Sequence, residues 1–379
     1  MKTKAVTISK CEKIDKVYLL IALALAVFGT VMVISAGGAY AASKYDDPFY
    51  FAKKQSIWMI LGIGAMVIAS NITKETYKKL TPFFYLTTLL LLILTLVIGF
   101  VGNGAQRWIS IGPLTIQPSE IAKLTMVMML ALYFDKNGER ACEIKSGASA
   151  FLHGTLFPAL IVLVPIILVM LQKHLSCIII LGTIGIVLTV IAGVHVKYIS
   201  AFMLLGAAGV SYIALFTDYT KDRITVWLDP EADKLTGGWQ TLQGLMAIGS
   251  GGFFGKGLGM GELKHCYVSE PANDMIFAIL CEELGFVGAF VAMLLFAALI
   301  FRGFTIAQKS SDPFERLLCL GINTKIAIQT LLNVAVVTNT IPNTGISLPF
   351  FSYGGSSLIM LLFEVGIVLS ISRRASLQK

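Results

Sequence analysis

The chain has 379 residues, of which 56% are hydrophobic and only 14% are charged, and its mean hydropathy is +0.79. An average soluble domain carries about 25% charged residues, so this composition excludes a soluble enzyme, a disordered chain and a secreted disulfide scaffold. A net charge of +8 would suggest nucleic acid for a soluble protein, but here the charges fall between hydrophobic blocks. Their placement therefore reports membrane topology, and we expect no nucleic-acid partner.

Ten apolar runs are long enough to cross a hydrocarbon core of ~30 Å, which takes roughly 20 helical residues. They lie near residues 17–37, 55–72, 82–101, 117–134, 150–171, 175–194, 197–216, 274–301, 317–340 and 356–372. The sequence therefore predicts an all-α, polytopic integral membrane protein with about ten transmembrane helices, forming one membrane domain over residues 1–379. The first run leads to Ala39-Tyr-Ala41 as a signal peptide would, but it is too long for one, so we expect a retained helix.

The distribution of Lys and Arg predicts the orientation. One set of alternating connections holds 18 of them and the other holds 10, five of which lie in the long segment 217–273. Because basic residues concentrate in short cytoplasmic loops, both termini are predicted to be cytoplasmic, with 1–16 as an N-terminal segment and 373–379 as a tail. Residues 217–273 then form one long extracellular loop before the eighth helix, and loops of that length are usually functional or disordered.

Three external loops combine tryptophan or tyrosine with glycine, proline and polar side chains, which a simple helix connection does not need. We call them the first (102–120), second (217–273) and third (341–357) motif loops. Since all three fall on the same side of the membrane, the sequence predicts a site at the outer face.

Charged residues inside the spans need a reason, because each costs about 2.5–3.5 kcal/mol near the bilayer centre. Glu120 and Lys123 are three residues apart and share one helical face, so they are expected to form either a structural ion pair or a substrate-facing pair. Pro118 also marks a helix start, where Glu120 would favour the positive end of the helix dipole.

Other acidic residues allow similar alternatives. The adjacent Glu282 and Glu283 cannot face one partner, so we expect one to meet a cation such as Lys325 and the other to face a polar cavity. Glu364 is expected to be a structural pair member. Asp274, taken alone, is typical of a helix N-cap.

The glycine run from 249 to 261 lacks the Lys-Ser/Thr of a nucleotide-binding loop. Two interpretations stay open: a flexible re-entrant loop, or a backbone cradle for a pyrophosphate with Lys256 as counter-charge. Six cysteines without C-x-x-C spacing and four scattered histidines predict neither a metal site nor a disulfide framework.

Four groups of residues resemble one known family. They are Asn103-Gly-Ala-Gln-Arg-Trp-Ile109 with Gln117-Pro-Ser-Glu-Ile-Ala-Lys-Leu124, Gly238-Trp-Gln240 with Ala247-Ile-Gly-Ser-Gly-Gly252, Asp274 with Ile276-Phe-Ala278 and Glu282-Glu-Leu-Gly285, and Leu348-Pro-Phe350 with Ser352-Tyr-Gly-Gly-Ser-Ser357. The chain resembles the shape, elongation, division and sporulation (SEDS) family of FtsW, RodA and SpoVE, and is most similar to the FtsW and SpoVE branch.

This resemblance implies a peptidoglycan glycosyltransferase in the bacterial cytoplasmic membrane that polymerises lipid II in cell division or sporulation, with a class B penicillin-binding protein as partner. Asp274 matches the family's essential loop aspartate, which implies a catalytic base. Glu120 and Lys123 match functionally important positions. The other candidate substrate-binding residues are Arg107, Arg223, Lys256, Lys264, Glu270 and Ser356. A divalent cation, Mg²⁺ or Mn²⁺, is a candidate cofactor.

Two functions from other classes remain as alternatives. A lipid II flippase would need a polar path through the whole bilayer, built from Glu120, Lys123, Lys325 and Glu364, and no external base. An inactive scaffold would only recruit the crosslinking partner. The concentration of motifs on one side favours the enzyme.

Overall fold

A computed structural model describes residues 14–102, 105–111, 114–142, 151–194, 200, 218–231, 237–265 and 267–375. Within these ranges the chain is mainly helical. The helices are α1 (Lys16–Tyr45), α2 (Tyr50–Asn71), α3 (Lys74–Ile98), α4 (Pro118–Cys142), α5 (Phe157–Leu171), α6 (Leu175–Ile191), α7 (Asp218–Leu228), α8 (Gly237–Ser250), α9 (Ile276–Lys309), α10 (Pro313–Val337) and α11 (Gly355–Ala375). A π-helical turn, Leu152–Leu156, leads into α5.

A helix stands at nine of the ten predicted spans, and the remaining one, 197–216, lies outside the described residues except for residue 200. Seven of the described helices are long and apolar enough to cross a membrane. Of the other two, α6 is apolar but has 17 residues, and α4 carries charges at both ends. The prediction of an all-α polytopic membrane protein is therefore confirmed.

Helix ends on the cytoplasmic side are fixed by side chains. Asp15, Thr73 and Asp312 cap α1, α3 and α10, each accepting a hydrogen bond from a backbone N–H in the first turn. Arg302, near the end of α9, binds Asp15 at 2.8 Å, and Lys74 binds Asp312 at 3.1 Å. These contacts bring the starts of α1, α3 and α10 and the end of α9 to one side of the bundle.

The helices pack through small residues, as is usual where lipid replaces water. A Cβ on Gly62 of α2 would lie 2.5 Å from a methyl carbon of Leu362, and one on Gly366 of α11 would lie 2.3 Å from the carbonyl oxygen of Met66. Side chains larger than hydrogen would therefore separate α2 from α11.

The first motif loop contains a small sheet that the sequence analysis did not predict. Strands β1 (Phe100–Gly102), β2 (Ala105–Ile111) and β3 (Leu114–Ile116) form an antiparallel meander in the order β1-β2-β3. Trp108 pairs with Phe100, and Ile109 pairs with Ile116. The sheet carries Arg107 on its central strand and ends immediately before α4.

Candidate active site

The second and third motif loops are joined by hydrogen bonds directly before α9. The Ser352 hydroxyl donates to the carbonyl oxygen of Asn273 at 2.7 Å and accepts from the Leu348 amide at the same distance. The Tyr353 amide donates to the carbonyl oxygen of Ala272 at 2.8 Å. Two loops that are far apart in sequence thus share one backbone junction, and Asp274 follows it.

Asp274 is partly buried at this junction. Its carboxylate oxygens lie 3.4 and 3.5 Å from Nε2 of Gln240 on α8, and a Cβ on Gly345 would lie 3.7 Å from Oδ2. Helix α9 begins at Ile276, with Met275 as a cap residue that makes no side-chain capping bond. The interpretation of Asp274 as a helix N-cap is therefore wrong, and its carboxylate faces the loops instead.

The surroundings change the acidity of this carboxyl group. Burial, with a smaller contribution from the negative charge of Glu270, raises the pKa of Asp274 to about 6, while Gln240 and the positive charge of Arg223 act in the opposite direction. A carboxylate with this pKa is mostly ionised at pH 7 and is a stronger base than an exposed aspartate. Asp274 is thus suited to accept a proton from a substrate.

Glu270 and Arg223 reach the same junction from different segments. Glu270 has a positive φ of 53°, and its carboxylate accepts a hydrogen bond from the Asn273 side chain. Arg223, on α7, donates to the carbonyl oxygen of Asn343 in the third motif loop. The structure therefore places these two predicted site residues within electrostatic range of Asp274.

Glu120 and Lys123 lie deeper, where α4 faces α10. Their side chains form a buried ion pair at 2.7 Å, and Lys123 Nζ is 3.4 Å from Oε1 of Gln329. Gln329 Nε2 in turn donates to Ser347 of the third motif loop at 3.2 Å. The predicted pairing of Glu120 with Lys123 is confirmed, and a contact with substrate stays a prediction.

A small cleft lies between this ion pair and the third motif loop, with Glu120 in its lining. Glu120, Lys325 and Gln329 form its polar wall, and Ser352 and Tyr353, which bind the segment before Asp274, line its outer part. The cleft is therefore lined both by residues that bind the segment before Asp274 and by charged residues inside the bundle.

Lys325 has a different partner from the one expected. Its ammonium lies 2.6 and 2.8 Å from the two carboxylate oxygens of Glu364 on α11. The prediction that Lys325 meets Glu282 or Glu283 is therefore wrong. The expected structural pairing of Glu364 is confirmed by this contact. A charged carboxylate inside the bundle is costly unless a cation lies at hydrogen-bonding distance.

Glu282 and Glu283 each bind a lysine of the second motif loop, so the prediction that one of them faces a polar cavity is also wrong. Lys256 lies 3.1 Å from Glu282, and Lys264 lies 2.6 Å from Glu283. Adjacent residues on a helix point in different directions, and the glycine run with the residues just after it passes close enough to supply one lysine to each.

Backbone amides in the glycine run and just after it also bind these carboxylates. The amide of Gly259 donates to Glu283 at 3.1 Å, and the amide of Glu262 donates to Glu282 at 2.8 Å. The run is seated on α9 where that helix is broken at Gly285, whose φ is +65°. Its amides thus hold anions of the chain itself, and binding of a pyrophosphate by Lys256 or Lys264 stays a prediction without support from these contacts.

Arg107 and Ser356, the last two predicted site residues, lie at other points of the outer side. Arg107 donates to the carbonyl oxygen of Lys173 at 2.5 Å. Burial, with the charges of Arg107 and Lys123, holds the pKa of His174 well below its usual value, so this imidazole is neutral. Ser356 lies in the first turn of α11, and its buried hydroxyl has no hydrogen-bond partner among the described residues.

Sequence analysis missed three polar residues of this region: Gln240, Gln329 and Asn333. Gln240 was noticed only as part of a motif. Lys325, Gln329 and Asn333 are each four residues apart, which places them on one face of α10. That spacing was the signal that could have identified them.

Fold and site together define a polytopic membrane protein with an acidic site at its outer face. The chain matches the FtsW/RodA/SpoVE family model, described as "Cell cycle protein", over residues 15–377. It belongs to this family and is an integral membrane protein.

Relatives cover nearly the whole chain. The probable peptidoglycan glycosyltransferase FtsW of Geobacter metallireducens is 37% identical over 370 residues, which is 97% of this chain and 96% of the relative. The stage V sporulation protein E of Bacillus subtilis is 38% identical over 361 residues, which is 95% of this chain and 97% of the relative.

Two solved structures share the fold. One, from work on a peptidoglycan synthase complex that coordinates polymerization and crosslinking, has a TM-score of 0.78 and 27% identity, covering 96% of this chain and 98% of its own. The rod shape determining protein RodA of Thermus thermophilus has a TM-score of 0.69 and 26% identity, covering 95% of this chain and 97% of its own.

Proposed function

We propose that this chain is a peptidoglycan glycosyltransferase that polymerises lipid II at the outer face of the cytoplasmic membrane, in cell division or sporulation. The observation that carries the proposal is Asp274, a partly buried carboxylate at the junction of two motif loops whose pKa is raised to about 6. Relatives named as probable peptidoglycan glycosyltransferases or as a sporulation protein match almost the full length of the chain.

The reaction joins the 4-hydroxyl of an acceptor sugar to the anomeric carbon of a donor. A C–O bond forms with inversion, and the polyprenyl pyrophosphate leaves with the electrons of the bond that breaks. Asp274 accepts the hydroxyl proton as general base. Arg223 lies close enough to influence the charge of Asp274, which makes it a candidate to stabilise the leaving pyrophosphate, together with Arg107.

The buried ion pairs beside the cleft argue against a transport path. A flippase needs polar groups that accompany a head group through the whole bilayer. In the described helices, the four charges that were candidates for this path form two closed pairs, Lys123–Glu120 and Lys325–Glu364. Opening either pair would leave charges unpaired in the bundle interior, which opposes movement of a substrate past them.

A class B penicillin-binding protein is the partner that we propose. One similar structure comes from a peptidoglycan synthase complex in which polymerization is coordinated with crosslinking. A chain that makes strands at the outer face needs a crosslinking enzyme on the same side.

A protein-held divalent cation does not fit the side chains around Asp274. Among the residues that the structure describes, no three His, Cys, Asp or Glu side chains form a metal-binding group. Mg²⁺ commonly binds through substrate phosphates and water with only one or two protein ligands. We therefore propose that Mg²⁺ or Mn²⁺, where required, enters with the pyrophosphate of lipid II.

Purified native chain and Asp274→Asn, each with the partner and at equal folded amount, should be compared for polymerisation of lipid II. Asparagine has nearly the same shape but cannot accept the proton. We expect glycan strands from the native chain and none from the variant. Equal activity of the two would refute the role of Asp274, and transport of labelled lipid II into liposomes without polymerisation would support the flippase.

A further inference from the structure

Asn333 lies in the last two turns of α10, near the third motif loop, and its side chain is fully buried. Its Nδ2 donates to the carbonyl oxygen of Asp274 at 2.9 Å and to the carbonyl oxygen of Ile346 at 2.6 Å. An amide nitrogen has two hydrogens, so both are used. One side chain therefore ties the backbone of the proposed base to the third motif loop.

The orientation of this amide follows from its partners. Both neighbouring atoms are carbonyl oxygens, which only accept hydrogen bonds, so the nitrogen and not Oδ1 must face them. Oδ1 is then buried without a hydrogen-bond partner among the described residues.

One of the two hydrogen bonds from Asn333 holds Asp274, the residue that we propose accepts the proton. Other links between the loops, from Ser352 to Asn273 and from Tyr353 to Ala272, hold the residues that precede Asp274. Asn333 binds the backbone of Asp274 itself, whereas Gln240 contacts its carboxylate. It also binds Ile346, the neighbour of Gly345, where an added Cβ would lie 3.7 Å from the Asp274 carboxylate.

We propose that Asn333 is a positioning residue for glycosyl transfer, which holds the backbone of Asp274 and the third motif loop at a fixed separation so that the carboxylate meets the acceptor hydroxyl. This inference rests on the proposed function. Asn333 does not contact the reacting atoms, and it acts through Asp274.

Asn323 offers a matched control on the same helix. It is also fully buried, and it also donates from Nδ2 to a backbone carbonyl oxygen, that of Cys319, at 2.8 Å. Its Oδ1 accepts from the Tyr18 hydroxyl at 3.2 Å. Asn323 lies ten residues before Asn333, about 15 Å along the helix, so it tests general loss of a buried amide in α10.

The test compares Asn333→Leu with Asn323→Leu in the full chain with its partner. We expect both to lower the unfolding temperature. For Asn333→Leu we also expect kcat for lipid II polymerisation to fall about ten- to a hundredfold, because a displacement of ~1 Å at a catalytic group has effects of this size. KM should change less than about threefold, because substrate contacts are retained.

The pH dependence adds a readout that a purely structural role would not change. Glu270 and Arg223 are the charged groups that influence Asp274. Release of Asp274 should let water reach it, so the acid limb of kcat should move about one pH unit lower in Asn333→Leu and stay in place in Asn323→Leu. Hydrogen exchange of 270–275 and of 341–353 should rise together only in Asn333→Leu.

The outcomes separate the two proposals. If Asp274→Asn is inactive while Asn333→Leu keeps the native kcat and acid limb, the positioning role is wrong and the proposed function stands. If Asp274→Asn polymerises normally, the proposed function fails first. Equal losses in the two Leu variants, without a shift of the acid limb, would also refute positioning. Asn333→Ser and Asn323→Ser repeat the comparison if the Leu variants do not fold.

Discussion

Lys264 and Glu283 form an ion pair at 2.6 Å in which the side chains are only 5% and 0% exposed. Lys264 also donates to the carbonyl oxygen of Gly259 and to the Ser35 hydroxyl of α1. The pair therefore joins the glycine run to two membrane helices, α9 and α1.

Replacement of Lys264 by methionine should be strongly destabilising. It leaves Glu283 charged and buried, and removal of one partner of a buried pair costs about 3–5 kcal/mol. We expect a large fall in the unfolding temperature. It can be measured in detergent by circular dichroism or by the fluorescence of a dye that binds unfolded protein without reacting with thiols. Lys53→Met is the control, because Lys53 binds Asp47 at a similar distance but is 66% exposed. Equal effects of the two substitutions would contradict a structural role for Lys264.

The pair Lys325–Glu364 predicts non-additive substitutions. Lys325→Met alone leaves a buried carboxylate and should lower stability by about 3–5 kcal/mol. The double variant with Glu364→Gln removes both charges, so it should regain most of that loss. A double-mutant cycle on unfolding temperatures checks this. Strict additivity of the two single effects would show that the charges do not interact.

Asp274→Asn should stabilise the chain at neutral pH. An unfolded aspartate has a pKa of about 3.9, whereas the folded chain holds Asp274 at about 6, so the folded state binds more protons between these values. The contribution of this group to stability is fully present below about pH 4 and is lost as the pH rises through 6. Asparagine does not ionise, so the variant does not lose stability as the pH rises. Its unfolding temperature should therefore exceed that of the native chain at pH 7.5.

The two unfolding temperatures should differ much less at pH 4, where the aspartate is protonated in the folded state and about half protonated in the unfolded state. A difference that is constant from pH 4 to 7.5 would mean that the carboxyl group is not the cause.

Gly251 should not tolerate alanine. A Cβ there would lie 1.9 Å from the carbonyl oxygen of Cys281, which is backbone and cannot move aside. We expect Gly251→Ala to displace the glycine run from α9 and to lower the folded yield in membranes. Gly249→Ala is the control two residues away, where no atom lies within 4 Å of the added carbon. Normal folding of Gly251→Ala would show that the contact between the run and α9 is looser than described.

Features that depend on neighbouring residues were predictable from the sequence. Apolar run length is a local property, which is why nine predicted spans have a helix. Glu120 and Lys123 could be paired because three residues return a helix to the same face. The outer position of the three motif loops followed from the distribution of lysine and arginine.

Features set by contacts across the fold were not predictable. Glu364 is 39 residues from Lys325, and the sequence offered Glu282 and Glu283 as equally charged partners. Helix α8 begins with Gly237-Gly238, which disfavour a helix, so packing against α9 rather than local preference determines it. The role of Asn333 depends on its contacts with Asp274 and Ile346, which the fold brings together from other parts of the sequence.

The position of Lys325 also affects how the protein enters the membrane. Lys325 lies at the middle of α10, where an unpaired lysine costs about 2.5–3.5 kcal/mol on insertion. Its partner, Glu364, belongs to α11, the last helix described in the chain and therefore the last of these to be synthesised. Stable integration of α10 thus depends on a helix that follows it, so the two should leave the translocation machinery as a unit.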